Sequence, residues 1–247
     1  MRAEDRAHTG TLEDDEEQPV VRTYELLGGT VSICEGEAVL SNTGWRTWAG
    51  AWLLTKYLEK RLGRAEVGCT RRVLDLSCGT GLAGVSLACA GHEVVLCDLE
   101  VNVPTICENL GRNLPAGVGP DGTWAAAGTG APVAAVGYTW GAALREEMRR
   151  AFDFVLCGDL LFHVWSGRLQ VEFFATIQEL HLRGGAGGPE FIFGGQIRSG
   201  RQEKLVLDSL ARRLGLVQEE LEAAGGGAEE CPLQPHARYR LTRLRPD

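Results

Sequence analysis

Several features are missing from this sequence of 247 residues, and each absence removes a class of function. No apolar run approaches the ~18 residues a membrane-spanning helix needs, and no charged N-terminal segment leads into an apolar stretch. A soluble, monomeric protein with no membrane partner is expected. The eight cysteines include no C-x-x-C pair, which argues against a zinc ribbon or a redox dithiol, and no metal site is expected. Most of them sit in apolar runs, as buried free thiols do, so the expected compartment is reducing: the cytoplasm, or the nucleus. There is also no surplus of positive charge. The net charge is −8, and residues 1–20 hold seven acids against Arg2 and Arg6, leaving −3 for the remainder. A nearly neutral body has no general attraction for phosphate backbones, so nucleic acid is not an expected partner.

What is present divides the chain in two. Residues 1–20 are acidic, with no apolar periodicity to offset the entropy of ordering, and read as a disordered tail. Residues 21–247 read as one α/β domain, since a 44% apolar chain of this length buries a full core. Two short segments from Tyr24 to Asn42 flank Gly28-Gly29, which predicts a hairpin. Trp48, Trp52, Leu54, Tyr57 and Leu58 recur at helical spacing within a predicted helix from Trp45 to Leu62. Strands and helices then alternate, as in a mostly parallel sheet covered on both faces. Strands are expected at Val73–Leu76, Val94–Cys97, Val133–Tyr138, Phe152–Leu156 and Phe191–Phe193. Helices are expected at Leu82–Ala90, Pro104–Asn113, Gly141–Arg150, Arg168–Leu182 and Gln202–Leu214. Leu216–Leu221 and Ala237–Leu244 read as an antiparallel edge pair. Pro115–Pro132, Gly184–Pro189 and Ala223–Ala228 are Gly- and Ala-rich loops.

The segment Val73-Leu-Asp-Leu-Ser-Cys-Gly79-Thr-Gly81-Leu-Ala-Gly84 carries the clearest chemistry. It runs from a buried strand through a glycine turn into an apolar helix, and Asp98 ends the next strand. Glycine lets a backbone approach a ligand, and an acid at that strand end accepts ribose hydroxyls. The G-x-G-x-x-G pattern alone also fits a nicotinamide or flavin dinucleotide. Asp75, inside the strand, favours another cofactor. A carboxylate there repels a pyrophosphate but attracts the ammonium and sulfonium of S-adenosylmethionine. The competing reading is that Asp75 only hydrogen-bonds the turn.

These residues resemble the methyltransferase family 16 of seven-strand protein lysine methyltransferases, over roughly residues 22–245. Thr47-Trp-Ala-Gly-Ala-Trp-Leu-Leu-Thr-Lys-Tyr-Leu-Glu59 is similar to that family's Trp-led helix, and Asp98 through Asn113 to its second strand end and Asn-bearing helix. Tyr138-Thr-Trp140-Gly141 resembles its Trp-Gly element, and Phe152-Asp-Phe-Val-Leu-Cys-Gly-Asp159-Leu-Leu-Phe162 its fourth strand and D-x-x-Y motif. Gln196-Ile-Arg198 follows the fifth strand, where the family often keeps an arginine. Phe162 stands where the family commonly has Tyr, and Gly158 where it has Ala. The resemblance implies a single Rossmann-like domain with a seven-stranded sheet and an N-terminal hairpin and helix. It also implies methylation of lysine on another soluble protein, with translation factors and chaperones among the targets it suggests.

In such folds the ligand lies beyond the carboxyl ends of the strands. The expected cofactor residues are Trp48, Asp75, Ser77, Gly79, Gly81, Asp98, Leu99, Trp140 and Gly158. Trp140 is placed to pack on adenine and Trp48 to cover the methionine end, and for each the rival is a plain core or rim aromatic. Asp159 and Phe162 are the expected acceptor-side residues. Asp159 is placed to take a hydrogen bond or a proton from the acceptor amine, against a purely local capping role. His163 has a rival as an ordinary surface histidine, and Arg198 as an ordinary salt bridge. Other readings stay open: a small-molecule or histidine methyltransferase, a silent cofactor-binding module, and a dinucleotide oxidoreductase.

Overall fold

A computed structural model describes residues 19–36, 42–114, 124–221, 231–233 and 237–246. The hairpin forms from β1 (Val20–Leu26) and β2 (Gly29–Glu35), turning at Leu27-Gly28. Val20 pairs with Glu35, so the last residue assigned to the tail is already in a strand; residues 1–18 lie outside the described residues. The helix α1 (Ala49–Arg61) starts later than its periodicity suggests. The Glu35 carboxylate accepts the Thr47 amide at 2.8 Å, and Trp48 is extended, which holds Trp45–Trp48 out of the helix.

Then come β3 (Arg72–Leu76), α2 (Leu82–Cys89), β4 (Glu93–Asp98), α3 (Val103–Asn113), β5 (Trp124–Ala125), β6 (Pro132–Gly137) and β7 (Phe154–Gly158). The remainder is α4 (Leu160–Ser166), α5 (Gln170–Arg183), β8 (Glu190–Gln196), α6 (Gly200–Leu214), β9 (Val217–Glu220) and β10 (Tyr239–Arg245). Among the described residues the main sheet runs β5-β6-β4-β3-β7-β8-β10-β9. Its centre, β6 to β8, is parallel, and β10 lies antiparallel between β8 and β9. The expected edge pair is therefore present, and the two-residue β5 inside the Pro115–Pro132 loop adds an eighth strand to the expected seven.

One expected helix is absent and one helix stands where none is expected. Gly141–Arg150 holds only a 3-10 turn at Glu146–Arg149, because Gly141 has φ 81° and Arg145 is extended. Leu144 and Met148 are both buried, so their four-residue spacing imitates a helix face without one. The strand expected at Phe152–Leu156 instead ends at Gly158, and α4 follows it at once, where no helix is expected.

The central strands are buried on both faces, as parallel strands usually are. Val73, Val94, Leu96 and Phe154 face the hairpin, α1, α2 and α3; Leu74, Leu76, Val95 and Val155 face α4, α5 and α6. The side-chain period of two thus turns Asp75 toward α2. The chain switches direction across the sheet between β3 and β7, and the crevice beyond their carboxyl ends is where an α/β sheet holds a ligand.

The hairpin joins this body through α3. Asn109 accepts the Cys34 amide at 2.7 Å and donates to the Cys34 and Thr80 carbonyls at 3.1 and 2.9 Å. One turn later Asn113 accepts from the Ser32 amide at 2.8 Å and donates to its carbonyl at 2.7 Å. Each amide side chain pairs with β2 as a neighbouring strand would. Asn109 is fully buried, and its loss strands the partners on both the hairpin and the glycine turn. We expect Asn109→Ala to lower stability by about 2–4 kcal/mol in urea unfolding, with Asn113→Ala, nearer the surface, costing less.

Candidate active site

Strand ends β3, β4, β6 and β7, with the segment before α1 and the start of α4, enclose a cavity of about 470 Å³. Its floor is the glycine turn. Ser77 and Gly79 adopt φ values of 58° and 57°, and a Cβ on Gly79 would lie 3.2 Å from the Gly44 carbonyl oxygen. Gly79 lines the cavity; Gly81 does not. Gly81 instead begins α2 at φ 84°, where a Cβ would stand 3.0 Å from Leu96, so its role is to turn the chain into the helix.

Asp75 lines the cavity and is buried. One carboxylate oxygen accepts the Gly84 amide in the first turn of α2 at 2.8 Å. The turn-bonding reading is therefore part of the truth, without removing Asp75 from the cavity. Burial, and to a lesser degree the nearby Asp98, push its pKa up from 3.8 to about 7, against the opposing Gly84 bond. Because this acid titrates higher folded than unfolded, its protonated form stabilises the empty protein in acid. That contribution falls as the pH rises from about 4 toward 7.

Asp98 ends β4 and also lines the cavity. Its Oδ2 accepts from Gly79 at 2.7 Å, and its Oδ1 from the Leu99 amide and the Asn102 Nδ2, both at 2.7 Å. Asn42 donates to Asn102 at 2.6 Å, which links the segment before α1 to the second strand end. Trp140 donates its indole N–H to Ser77 Oγ at 3.0 Å and rests edge-on against Phe173, so it is fixed on the cavity wall. Leu99 and Gly158 also line the cavity.

The other half is built around Asp159, in the left-handed region at φ 54° between β7 and α4. Its Oδ2 accepts the Gly50 amide at 2.6 Å; its Oδ1 accepts from Gln196 at 3.1 Å and from Arg198 Nη1 at 2.8 Å. Three of about four carboxylate lone-pair directions are thus taken. The Arg198 guanidinium lies 5.5 Å from the Trp48 ring centre and 5.4 Å from that of Phe162, so it fills the space between the two rings. The buried Glu203 accepts the Arg198 and Ser199 amides and holds this corner. Trp48 is tied by its indole N–H to the Thr43 carbonyl at 2.8 Å. His163 lines the same half beside Phe162, and burial, then Arg198, lower its pKa, which keeps the imidazole neutral near pH 7.

The expected residues other than Gly81 therefore meet in one cavity, and Arg198 and His163 join them. Sequence reasoning missed Asn42, Gly44, Arg46, Asn102, Leu169 and Glu172, which also line it. Asn102 stands four residues after Asp98, close enough past the strand end to reach its carboxylate, and that nearness is the signal the sequence holds for it.

A family model described as lysine methyltransferase matches residues 31–183, from β2 to the end of α5. The chain belongs to the lysine methyltransferase family. Among curated members, protein N-lysine methyltransferase METTL21A of Mus musculus is 29% identical over 116 residues, 47% of this chain and 46% of that protein. METTL21A of Danio rerio is 26% identical over 162 residues, 65% of this chain and 64% of that protein. The chain thus spans less than two thirds of the length of these relatives. Among solved structures, the T. thermophilus 16S rRNA N2 G1207 methyltransferase RsmC aligns with TM-score 0.54 at 19% identity, over 94% of this chain and 51% of that one. Magnesium protoporphyrin IX methyltransferase of Synechocystis PCC 6803 aligns with TM-score 0.51 at 13% identity, over 86% of this chain and 90% of that one. These two show the fold, that of class I S-adenosylmethionine-dependent methyltransferases.

The Asp159–Arg198 pair joins a residue inside the family match to one past its end, and it is mostly buried, with side-chain exposures of 6% and 22%. Removing one partner leaves the other desolvated and unpaired. We expect Arg198→Ala to cost about 2–4 kcal/mol in urea unfolding, at the lower side of what stranding a buried charge costs. Combined with Asp159→Asn, the loss should be smaller than the sum of the two single losses.

Proposed function

We propose that this chain is an S-adenosylmethionine-dependent protein methyltransferase whose acceptor is a lysine on another soluble protein. The observation that carries the reading is the pair of carboxylates, Asp75 within β3 and Asp98 at the end of the adjacent β4, in one cavity whose other half is walled by Trp48 and Phe162. The cavity is large enough for a cofactor of this size. Asp75, pushed up to about 7 when nothing cationic faces it, suits an ammonium and not a pyrophosphate. Asp98 suits ribose hydroxyls, Trp140 an adenine face, and the Gly79 backbone the close approach between them. When bound, the cofactor supplies an electrophilic methyl group on a sulfonium.

The protein's own residues supply placement. Methyl transfer needs an uncharged nucleophile in line with the methyl, and orientation is worth up to about 7–11 kcal/mol in favourable systems. Trp48, Phe162 and the Arg198 guanidinium between them form a stiff wall that excludes water from the acceptor. Asp159 acts chiefly by holding that wall and the start of α1, since most of its hydrogen-bonding capacity is spent there. Phe162 offers no hydroxyl to the amine, and the neutral His163 beside it does not repel one. Cys34, Cys69, Cys78, Cys89, Cys97, Cys107 and Cys157 are thiols outside any disulfide, which supports a cytoplasmic or nuclear setting.

S-adenosylhomocysteine carries the same ammonium, and its binding reports on Asp75. Binding a cation lowers the Asp75 pKa, so affinity should rise up to about tenfold per pH unit as the pH approaches 7, then level off. Asp75→Asn should bind more weakly and flatten this dependence. Calorimetry that detects NAD and no S-adenosylhomocysteine would overturn the cofactor assignment. The acceptor is tested with labelled methyl donor and an extract from cells lacking the protein. Mass spectrometry of the labelled band should place the label on lysine; label on histidine or a small molecule would reject that acceptor.

A further inference from the structure

Among the described residues, two arginines line the cavity, in different electrostatic states. Arg198 is neutralised by Asp159. Arg46, on the segment between β2 and α1, is exposed at the cavity and rests 5.9 Å from the centre of the Trp48 ring, with no carboxylate partner among the described residues. A guanidinium lying on an indole loses little freedom and keeps its N–H edge outward, which suits a planar carboxylate. Its surroundings are those of a contact surface. Trp45, Leu99 and Leu169 are large apolar residues exposed at 36%, 47% and 39%; the last two line the cavity and the first precedes Arg46. A tryptophan beside an arginine is the pairing enriched at protein interfaces, and the two leucines add exposed apolar area on the same cavity. The body carries a net negative charge, so a long-range field does not draw acidic partners in, and a local cation has to select them.

We propose that Arg46 is a specificity residue that binds an aspartate or glutamate side chain flanking the acceptor lysine of the protein substrate, while Trp45, Leu99 and Leu169 cover the apolar residues around it. The inference rests on the methyltransferase reading and adds to it the chemistry of the sequence that is recognised: a lysine beside an acid. A carboxylate has a second source, the amino-acid end of the cofactor, and the experiment separates the two.

The full chain, saturated with S-adenosylhomocysteine, is titrated with acetyl-Asp-Lys-Asp-amide and acetyl-Asn-Lys-Asn-amide, followed by NMR. The acidic peptide should bind about fivefold more tightly, the equivalent of about 1 kcal/mol, as an exposed charge pair allows. The preference should shrink as salt is added. Arg46→Gln should abolish it, and Arg46→Lys should keep part of it, with S-adenosylhomocysteine affinity unchanged in both. The proposal is overturned by equal binding of the two peptides, by binding of neither, or by a preference that survives Arg46→Gln. It is also overturned if Arg46→Gln weakens S-adenosylhomocysteine, which would make the cofactor's carboxylate the ligand. Failure of the wild-type chain to bind S-adenosylhomocysteine would instead reject the methyltransferase reading itself.

Discussion

The site depends on how closely the first turn of α1 is pressed onto the ends of β7 and β8. Gly50 has no room for a side chain: a Cβ would lie 2.5 Å from the Gly194 carbonyl oxygen and 2.6 Å from the Asp159 amide nitrogen. This contact lets the Asp159 carboxylate reach the Gly50 amide, and it fixes the entry of α1. At the other end Arg61 grips Glu190 with two bonds of 2.7 Å. With the helix fastened at both ends, Trp48 and the segment before it have one place to go, over the glycine turn. The cavity's acceptor wall is in this sense a by-product of backbone packing.

The two halves of the cavity are held by different physics. Around Asp98 the restraint is a carboxylate that accepts three N–H bonds, extended through the neutral amides of Asn102 and Asn42 with no cation in the network. Around Asp159 it is a desolvated ion pair clasped between two aromatic rings, which is costly to break. One half is thus fixed by N–H groups gathered on a single carboxylate, the other by opposite charges held out of water.

What was legible in the sequence was local. Asp75, Gly79 and Asp98 could be read because a strand, a turn and the next strand end fall within one short stretch, and because a carboxylate discriminates between cofactors by charge alone. Trp140, Asp159 and Arg198 were named through the family resemblance, and the cavity gathers them. The failures were those of pattern without context. Leu144 and Met148 have helix spacing in a segment that glycine and an extended arginine keep from being a helix. Gly81 has the motif position of a ligand contact, yet it serves helix packing. Arg46 and Asn42 carry no local signature, because their place at the cavity is decided by α1 docking on strands that come more than a hundred residues later.

That docking also orders events during synthesis. The apolar face of α1 packs on β8, and between the end of α1 and the start of β8 a ribosome adds 129 residues, which takes roughly 6–26 s at about 5–20 residues per second. For that interval the emerging chain carries a helix that can meet α2 and the hairpin but lacks the strand it packs on most. The hairpin and α3 can pair early through Asn109 and Asn113, but the packing of Leu54 against Gly194 forms only once β8 has been made. The nascent chain stays open on that flank until the fifth parallel strand arrives.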